Sequence, residues 1–455
     1  MAELDVAIVG AGVSGLAAAY ELHRRGLSVR LVERRERPGG VILTEHAHHF
    51  VVDAGPDSLL VQKPAAVDLC RELGLAERLL PTSQPRTAFI YRAGVLHAIS
   101  DVSVLGFPTR LWPLATSSLF SPGAKVRMAR EVLCRPRASA EDESIASFVG
   151  RHFGREAVEY IAEPLLAGIH AGDVDRLSIR ATFPRLVEAE ASRGSIIRTF
   201  AGRGGPGVGF KSLPGGMGEL VDALVARLPD GAIRYGAAAA RVELGAGAGA
   251  SVVLDGGERV AARAVILATP AWSAAPLVER LDTDLARQCA TIRYWSTAIV
   301  ALAFTRSAVR HPLQGTGFVV PRREGLTITA GSWVSSKWPH RAPEGQVLLR
   351  AFLGGARDPD AVDRSDADLV GAAAGDLGAI LSIGGEPTLT RVYRWHRSSP
   401  QQEVGHLALV AQIDRLLARL PGLFLTGTGL RGVGIPDCIA DARAVATAAA
   451  GRLRG

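Results

Sequence analysis

The sequence predicts an α/β protein in which a discontinuous Rossmann-like domain is joined to a mixed-sheet domain and a helical domain. Three observations predict it. The chain opens on a βαβ signature: the apolar run 6–9, the glycines Gly10, Gly12 and Gly15, a helical stretch, and a second apolar run ending at Glu33. A second strand–glycine–helix pattern lies near the C-terminus, where Leu423-Phe424-Leu425-Thr426-Gly427 leads into a glycine-rich turn and a closing helix. Between them, strand-like apolar runs at 292–320 and 347–353 follow a stretch, 101–176, with helical periodicity.

The first turn has a physical reading. Gly10 allows the tight turn, Gly12 lets the backbone approach a pyrophosphate, and Gly15 lets helix and strand pack closely. The pyrophosphate would rest on the helix N-terminus, where free N–H groups and the dipole favour anions. Glu33 falls about 20 residues on, where an acid accepts ribose hydroxyls. With Gly39-Gly40 downstream, a bound dinucleotide is expected, against the alternative of a βαβ unit that binds nothing. The second turn runs Gly427-Thr428-Gly429-Leu430-Arg431-Gly432-Val433-Gly434-Ile435. In oxidases that hold an extended FAD, such a turn meets the ribityl chain and flavin edge while the first takes the ADP half. Simple NAD enzymes need no second site, so FAD is the expected cofactor.

The remaining elements are read in order. A strand at 50–53 leads to Gly55-Pro56-Asp57-Ser58, and 69–80 reads as a helix. Residues 89–91 and 96–97 read as a hairpin turning at Ala93-Gly94. A helix begins near Gly215-Gly216-Met217, followed by strands at 233–235, 251–254 and 264–267. Residues 245–250, Gly-Ala-Gly-Ala-Gly-Ala, read as a hairpin turn, and 439–453 as the closing helix.

Composition narrows the class. The 455 residues carry 47% hydrophobic and 21% charged residues, as in an ordinary soluble enzyme of two or three domains. No apolar run reaches the roughly 18 residues of a membrane span. The first strand begins at once, leaving no room for a signal peptide, so a cytoplasmic chain is expected. Net charge is +7 with pI near 9.6, yet the basic residues are dispersed and no nucleic-acid motif appears. Lysine occurs only at 63, 125, 211 and 337, a pattern of codon usage rather than chemistry. Cys70, Cys134, Cys289 and Cys438 are widely spaced and read as free thiols. His46, His48 and His49 lack a fourth ligand and read as an exposed strand, so no metal is expected.

On these motifs the chain resembles the oxygen-dependent protoporphyrinogen IX and coproporphyrinogen III oxidases, within the FAD amine-oxidase-like superfamily. The likeness covers essentially the whole length. It rests on Gly10 to Gly15, Glu33, Gly39-Gly40 and Gly55 to Ser58; on Pro164-Leu-Leu-Ala-Gly-Ile-His-Ala-Gly-Asp173 with Leu177-Ser178; and on Gly215-Gly216-Met217 and Ala268-Thr269-Pro270. It continues in Lys337-Trp338-Pro339, Pro400-Gln401, Gly405-His406 and Gly432 to Cys438.

The resemblance implies a Rossmann-like FAD-binding domain at 1–82, 211–270 and 396–455. A substrate domain falls at 83–100, 177–210 and 271–395, and a helical, membrane-associating domain at 101–176. It implies three two-electron oxidations of a porphyrinogen by non-covalent FAD, with molecular oxygen reduced to hydrogen peroxide, in heme biosynthesis. Gly10, Ala11, Gly12, Val13, Ser14, Gly15, Glu33 and Arg34 would hold the ADP portion. Gly39, Gly40, Val41, Gly55, Pro56, Asp57 and Ser58 would line the flavin. Thr428, Val433, Gly434 and Ile435 would meet its other side, with Ala239 at a backbone contact. Thr316, Gly317, Val319 and Phe352 fall where the family clamps its flat macrocycle.

Where eukaryotic members bind a propionate through arginine, this chain has Ala88. Arg86, two residues back on the same strand face, or Lys63 would take that role. Gln402 replaces an aromatic found in many members. Flavin N5 accepts the hydride, and no protein base is named: Asp57, Glu163 and Asp173 are eligible only by their segments, and each reads as structural.

Residues 101–137 place Phe107, Leu111, Trp112, Leu114, Leu119 and Phe120 among Arg110, Lys125, Arg127, Arg130, Arg135 and Arg137. That pattern suits an anionic bilayer surface, here the inner face of the cell membrane, or a helix packed on its neighbours. A homodimer and contact with a downstream chelatase stay open, as does the choice between the two porphyrinogens. The alternatives are an FAD amine oxidase or carotenoid desaturase, and, in another class, a non-catalytic binding or escort protein on the same fold.

Overall fold

The computed structural model describes residues 4–99, 103–104, 107–108, 111–137, 141–201, 209–245 and 249–454. Its central element is a five-stranded parallel sheet in the order Ile233–Arg234, Val29–Val32, Val6–Val9, Ala264–Leu267, Leu423–Leu425. The strands are short and mostly apolar because both faces are covered, with exposed arginines only at Arg30 and Arg234 toward one edge. Val6 and Ile8 point into a core with the helices Val13–Arg24, Pro64–Glu72, Gly218–Val225 and Ile435–Arg454. Ala7 and Val9 point the other way. There they meet the antiparallel sheet Ala239–Leu244, Ala250–Leu254, Arg259–Ala262 and the helices Ala271–Val278 and Thr283–Thr291.

A seven-stranded mixed sheet forms the second layer. Its order is Leu389–Pro400, Tyr294–Thr305, Gln346–Gly354, Ala330–Trp333, Gly317–Val319, Ala88–Arg92, Val95–Ala98. All neighbours are antiparallel except Gly317–Val319 with Ala88–Arg92. Ala298, Val300 and Leu302 pack with the helix Asp366–Leu381 on one face. Ile299, Ala301 and Ala303 point to the opposite face, toward Ala54 and the hairpin strand Phe50–Asp53. That inner face looks toward the parallel-sheet layer.

A third, helical core gathers Phe148, Phe153, Ile161 and Leu166. The segment 177–210, placed with the mixed sheet from sequence, sends its helices Ile179–Thr182, Pro184–Arg193 and Ile196–Phe200 into this core. Leu186, Ile197 and Phe200 are buried there.

Other expectations shift for local reasons. The helix read at 69–80 starts at Pro64 and ends at Glu72. Proline suits a first helical position because its missing N–H has no partner there anyway. His48 and His49 form a two-residue turn at φ 47 and 68° between Thr44–Ala47 and Phe50–Asp53, rather than continuing a strand. Part of the expected turn at 245–250, residues 246–248, lies outside the described residues. Leu114, Leu119 and Phe120, expected on a membrane face, are buried in the helical core. Trp112, Val126 and Leu133 stay exposed. Arg110 and the side chains of Phe107 and Leu111 lie outside the described residues.

Candidate active site

The first glycine turn leaves an open concavity at the mouth of the helix Val13–Arg24. Gly10 has φ +101°, and its N–H donates to the Val32 carbonyl at 2.8 Å. Gly12 ends the turn as the helix N-cap, with no side chain capping the free N–H groups. A β-carbon built on Gly12 meets no protein atom nearer than Gly40 Cα at 4.0 Å. One built on Gly15 falls 1.9 Å from the Gly10 carbonyl oxygen. Gly12 therefore faces empty space and Gly15 faces its own strand. Gly39 closes the rim, its N–H donating to the Ala11 carbonyl at 2.8 Å. Thr269 Oγ1, beside Gly10, is buried without a partner. An uncapped helix end and an orphaned hydroxyl around a glycine cradle fit the pyrophosphate of a dinucleotide.

Glu33 is buried at this rim. Its carboxylate accepts the N–H groups of Ala11 at 2.8 Å and Arg35 at 3.0 Å. Ala237 donates to the Glu33 carbonyl, which brings the strand starting at Ala239 close by. A cleft of about 560 Å³ opens beside it, lined by Arg34, Arg35, Arg37, Leu43, Tyr393 and Trp395. Arg35 and Arg37 both donate to the Gly40 carbonyl. Burial and the neighbouring arginine push each of these guanidinium groups below its ordinary pKa, a crowding of cations that an anion would relieve. Only Arg34 of this trio was identified from sequence; three basic residues within four positions were the available signal.

The second turn meets the first. A β-carbon on Gly427 would fall 3.0 Å from the Thr269 carbonyl oxygen and one on Gly10 2.8 Å from the Ala268 carbonyl oxygen, so both turns abut residues 268–269. Cys438, in the first turn of the closing helix Ile435–Arg454, is buried beside the second turn. Its burial pushes the thiol up to about 12, so it is a spacer and not a nucleophile. Cys70 and Cys289 are likewise free, buried and pushed up. The Thr428 carbonyl accepts the Tyr294 hydroxyl at 2.8 Å, while that hydroxyl accepts the Ala271 N–H at 3.1 Å. Tyr294 thus ties the second turn to both sheets, a role that nothing in its local sequence announces. Val433 accepts from Thr428 Oγ1 and from Cys438 Sγ, and Gly434 and Ile435 open the helix.

Gly55 to Ser58 cross between the layers. A β-carbon on Gly55 would fall 2.0 Å from the Val41 carbonyl oxygen, so the two expected flavin-lining segments touch through backbone. Asp57 is the anchor. Its Oδ2 accepts Lys337 Nζ at 2.8 Å and Trp338 Nε1 at 3.4 Å, and Arg350 Nη1 stands 3.6 Å away. Burial raises the carboxyl pKa, but the Lys337 and Arg350 charges outweigh it and hold the group well below the carboxylate range. A carboxylate so paired is a poor proton acceptor, in keeping with the structural role read from sequence. Glu163 accepts the Arg322 N–H, and Asp173 the Asp175 N–H.

Three of the expected substrate residues, Gly317, Val319 and Phe352, share one sheet face. Val319, Ala330, Phe352 and Ile299 stand opposite one another across four strands. Phe352 packs with Ala54, Ile299 and Trp395. Gly317 occupies the next row, opposite Ser332, and Thr316 donates to the Thr87 carbonyl at the strand's start. The two basic candidates stand apart. Lys63 Nζ is held by both oxygens of Asp437 at 2.7 Å, which occupies the charge expected to meet a substrate carboxylate. Arg86 precedes the strand Ala88–Arg92 and so does not share its face; it is exposed, with Nε donating to the Thr82 carbonyl at 3.2 Å.

Comparison with known proteins finds relatives along nearly the whole chain. The family described as flavin containing amine oxidoreductase matches residues 13–450. The chain is 35% identical to the coproporphyrinogen III oxidase of Bacillus subtilis (strain 168) over 456 residues, covering 96% of each chain. It is 30% identical to protoporphyrinogen oxidase 2, chloroplastic/mitochondrial, of Arabidopsis thaliana, covering 96% of this chain and 92% of that one. A crystal structure from Exiguobacterium sp. 255-15, assigned as a protoporphyrinogen oxidase, superposes with a TM-score of 0.89. That protein is 32% identical, with 100% of both chains covered.

Proposed function

The chain belongs to the flavin containing amine oxidoreductases, and from that premise we propose that it is an FAD-dependent porphyrinogen oxidase that uses molecular oxygen. The observation that carries the reading is the meeting of two glycine turns at residues 268–269 beside one uncapped helix end, in a chain matched almost end to end by relatives named coproporphyrinogen III oxidase and protoporphyrinogen oxidase. Residues 10–15 with Glu33 and Arg34 hold the ADP half. Gly39 to Val41, Gly55 to Ser58, Thr428 and Val433 to Ile435 hold the flavin, with Ala239 a backbone contact. When bound, FAD supplies the hydride acceptor and returns electrons to oxygen as hydrogen peroxide.

The chain's own part is orientation and exclusion of water. The row Val319–Ala330–Phe352 offers an apolar wall to a flat macrocycle. Thr316 and Gly317 bound one end of it. Arg86, whose two Nη groups remain available beside Thr82, is the carboxylate partner at the rim. Arg86→Ala is expected to raise KM about tenfold, roughly 1.4 kcal/mol, with kcat and flavin content kept. An unchanged KM removes Arg86 from the site.

The test of the reading is growth of porphyrin fluorescence in air with protoporphyrinogen IX or coproporphyrinogen III, each against a flavin-only blank. A rate above the blank establishes the reaction, and the faster substrate assigns the step. A yellow protein with neither rate supports an amine oxidase or carotenoid desaturase instead, and a colourless one supports an escort protein. Release of all flavin on acid precipitation is the expected sign of non-covalent binding. Among the described residues no helix is long and apolar enough to cross a membrane. Attachment through Trp112, Val126 and Leu133 beside Arg130 and Arg135 is proposed as peripheral, with co-sedimentation on anionic vesicles that disappears at high salt as the expected result.

A further inference from the structure

A buried cluster on the inner face of the mixed sheet holds more positive charge than its carboxylates balance. Arg350 and Lys337 share one carboxylate, Asp57. The adjoining pair Arg341–Asp53, at 3.1 Å, balances itself. Arg350 is 2% exposed. Its Nη2 donates to the Gly55 carbonyl at 2.6 Å and its guanidinium lies 5.0 Å from the Phe352 ring centroid, yet Nε and Nη1 have no hydrogen-bond partner. Ser332 stands opposite Arg350 in the sheet register, so both point to the same face, and Ser332 Oγ is also buried and unpartnered. The row Gly317–Ser332–Arg350 adjoins the row Val319–Ala330–Phe352. Two free N–H donors, a free hydroxyl and an unbalanced charge thus sit between the Gly55–Asp57 turn and Phe352. Buried donors without acceptors are rare, because each costs its desolvation without return.

We propose that Arg350, assisted by Ser332, donates to the bound flavin ring and stabilises its reduced form. A hydride leaving a substrate carbon carries two electrons and one proton to a neutral flavin. The donor is left as a cation, and the reduced ring gains one negative charge. A buried cation beside that ring favours the reduced state. A substrate carboxylate is the weaker candidate, because Arg350 lies at the floor of the face, beside the flavin-lining turn, and not at the rim. This inference rests on the FAD reading above.

The experiment compares FAD-loaded wild type, Arg350→Met, Arg350→Lys and Ser332→Ala. The readouts are the flavin midpoint potential against an equilibrated dye, FAD affinity and KM. Arg350→Met is expected to weaken binding of reduced relative to oxidised flavin at least tenfold, a fall of about 30 mV for two electrons. Arg350→Lys should stay within about threefold, ~15 mV, of wild type, and Ser332→Ala should fall between the two. A merely structural arginine would change unfolding without moving the potential. If Arg350→Met does not fold, Lys337→Met removes charge from the same cluster and must lower the potential in turn. An unchanged potential in a variant that binds FAD overturns the inference, as does a raised KM with an unchanged potential, which would give Arg350 to the substrate. A wild type that binds no FAD fails the FAD reading itself.

Discussion

Gly12→Leu is expected to give a folded, colourless protein, whereas Gly15→Ala is expected to lose the fold before the cofactor. The two glycines belong to one turn and differ in what surrounds them. Gly12 has 4.0 Å of clearance to the nearest protein atom, so a side chain there occupies only the space a pyrophosphate needs. Loss of FAD affinity by about a hundredfold or more, some 2.7 kcal/mol, should appear in a titration while thermal unfolding of the flavin-free protein stays close to wild type. At Gly15 a β-carbon collides with the Gly10 carbonyl at 1.9 Å, inside the packing of the first strand on the first helix. That overpacking should destabilise by ~3 kcal/mol or more. Full yellow colour in Gly12→Leu would remove the pyrophosphate from this turn.

Asp57→Ala is expected to have the second-largest effect, and on stability rather than on binding alone. Removing the carboxylate strands two buried cations, Lys337 and Arg350, with side chains 16% and 2% exposed. Breaking one partner out of a buried ion pair costs about 3–5 kcal/mol, readable as a lower urea midpoint. The same group sets an acid limit. Its folded-state carboxyl lies below the ordinary 3.8, so the unfolded chain binds the proton more readily. The stabilisation is therefore complete above that ordinary value and is lost as pH falls through the folded one. Wild type should lose stability on acidification below about pH 4, and Asp57→Asn should lose less over that range.

What could be read from sequence follows from how local the physical demand is. Gly10, Gly12, Gly15 and Glu33 satisfy a demand within one βαβ unit, and the parallel sheet forms where they placed it. The hairpin at Ala93-Gly94 was legible for the same reason, two residues of positive φ between short strands. Side-chain partnerships were not legible. Lys63 pairs with Asp437 and Asp57 with Lys337, so their free or committed state depends on elements that meet only in the fold. The placement of Arg86 on a strand face failed on a boundary, since the strand starts two residues after it. Leu114, Leu119 and Phe120 show that an amphipathic pattern does not distinguish a protein neighbour from lipid. The helices at 179–200 were missed for a related reason, since their apolar residues are legible only as partners of the 145–166 core.

The pairing of the first and last helices has a consequence for biosynthesis. Arg443 and Glu21 join them across 422 positions of chain. A nascent chain emerging from the ribosome makes the glycines of the first turn early, yet cannot pack the helix behind them until the closing helix has been translated. Such long-range closure is slow to nucleate. Flavin capture thus becomes a late, post-translational event, and a cell short of flavin would expose this chain to proteolysis at its latest folding stage.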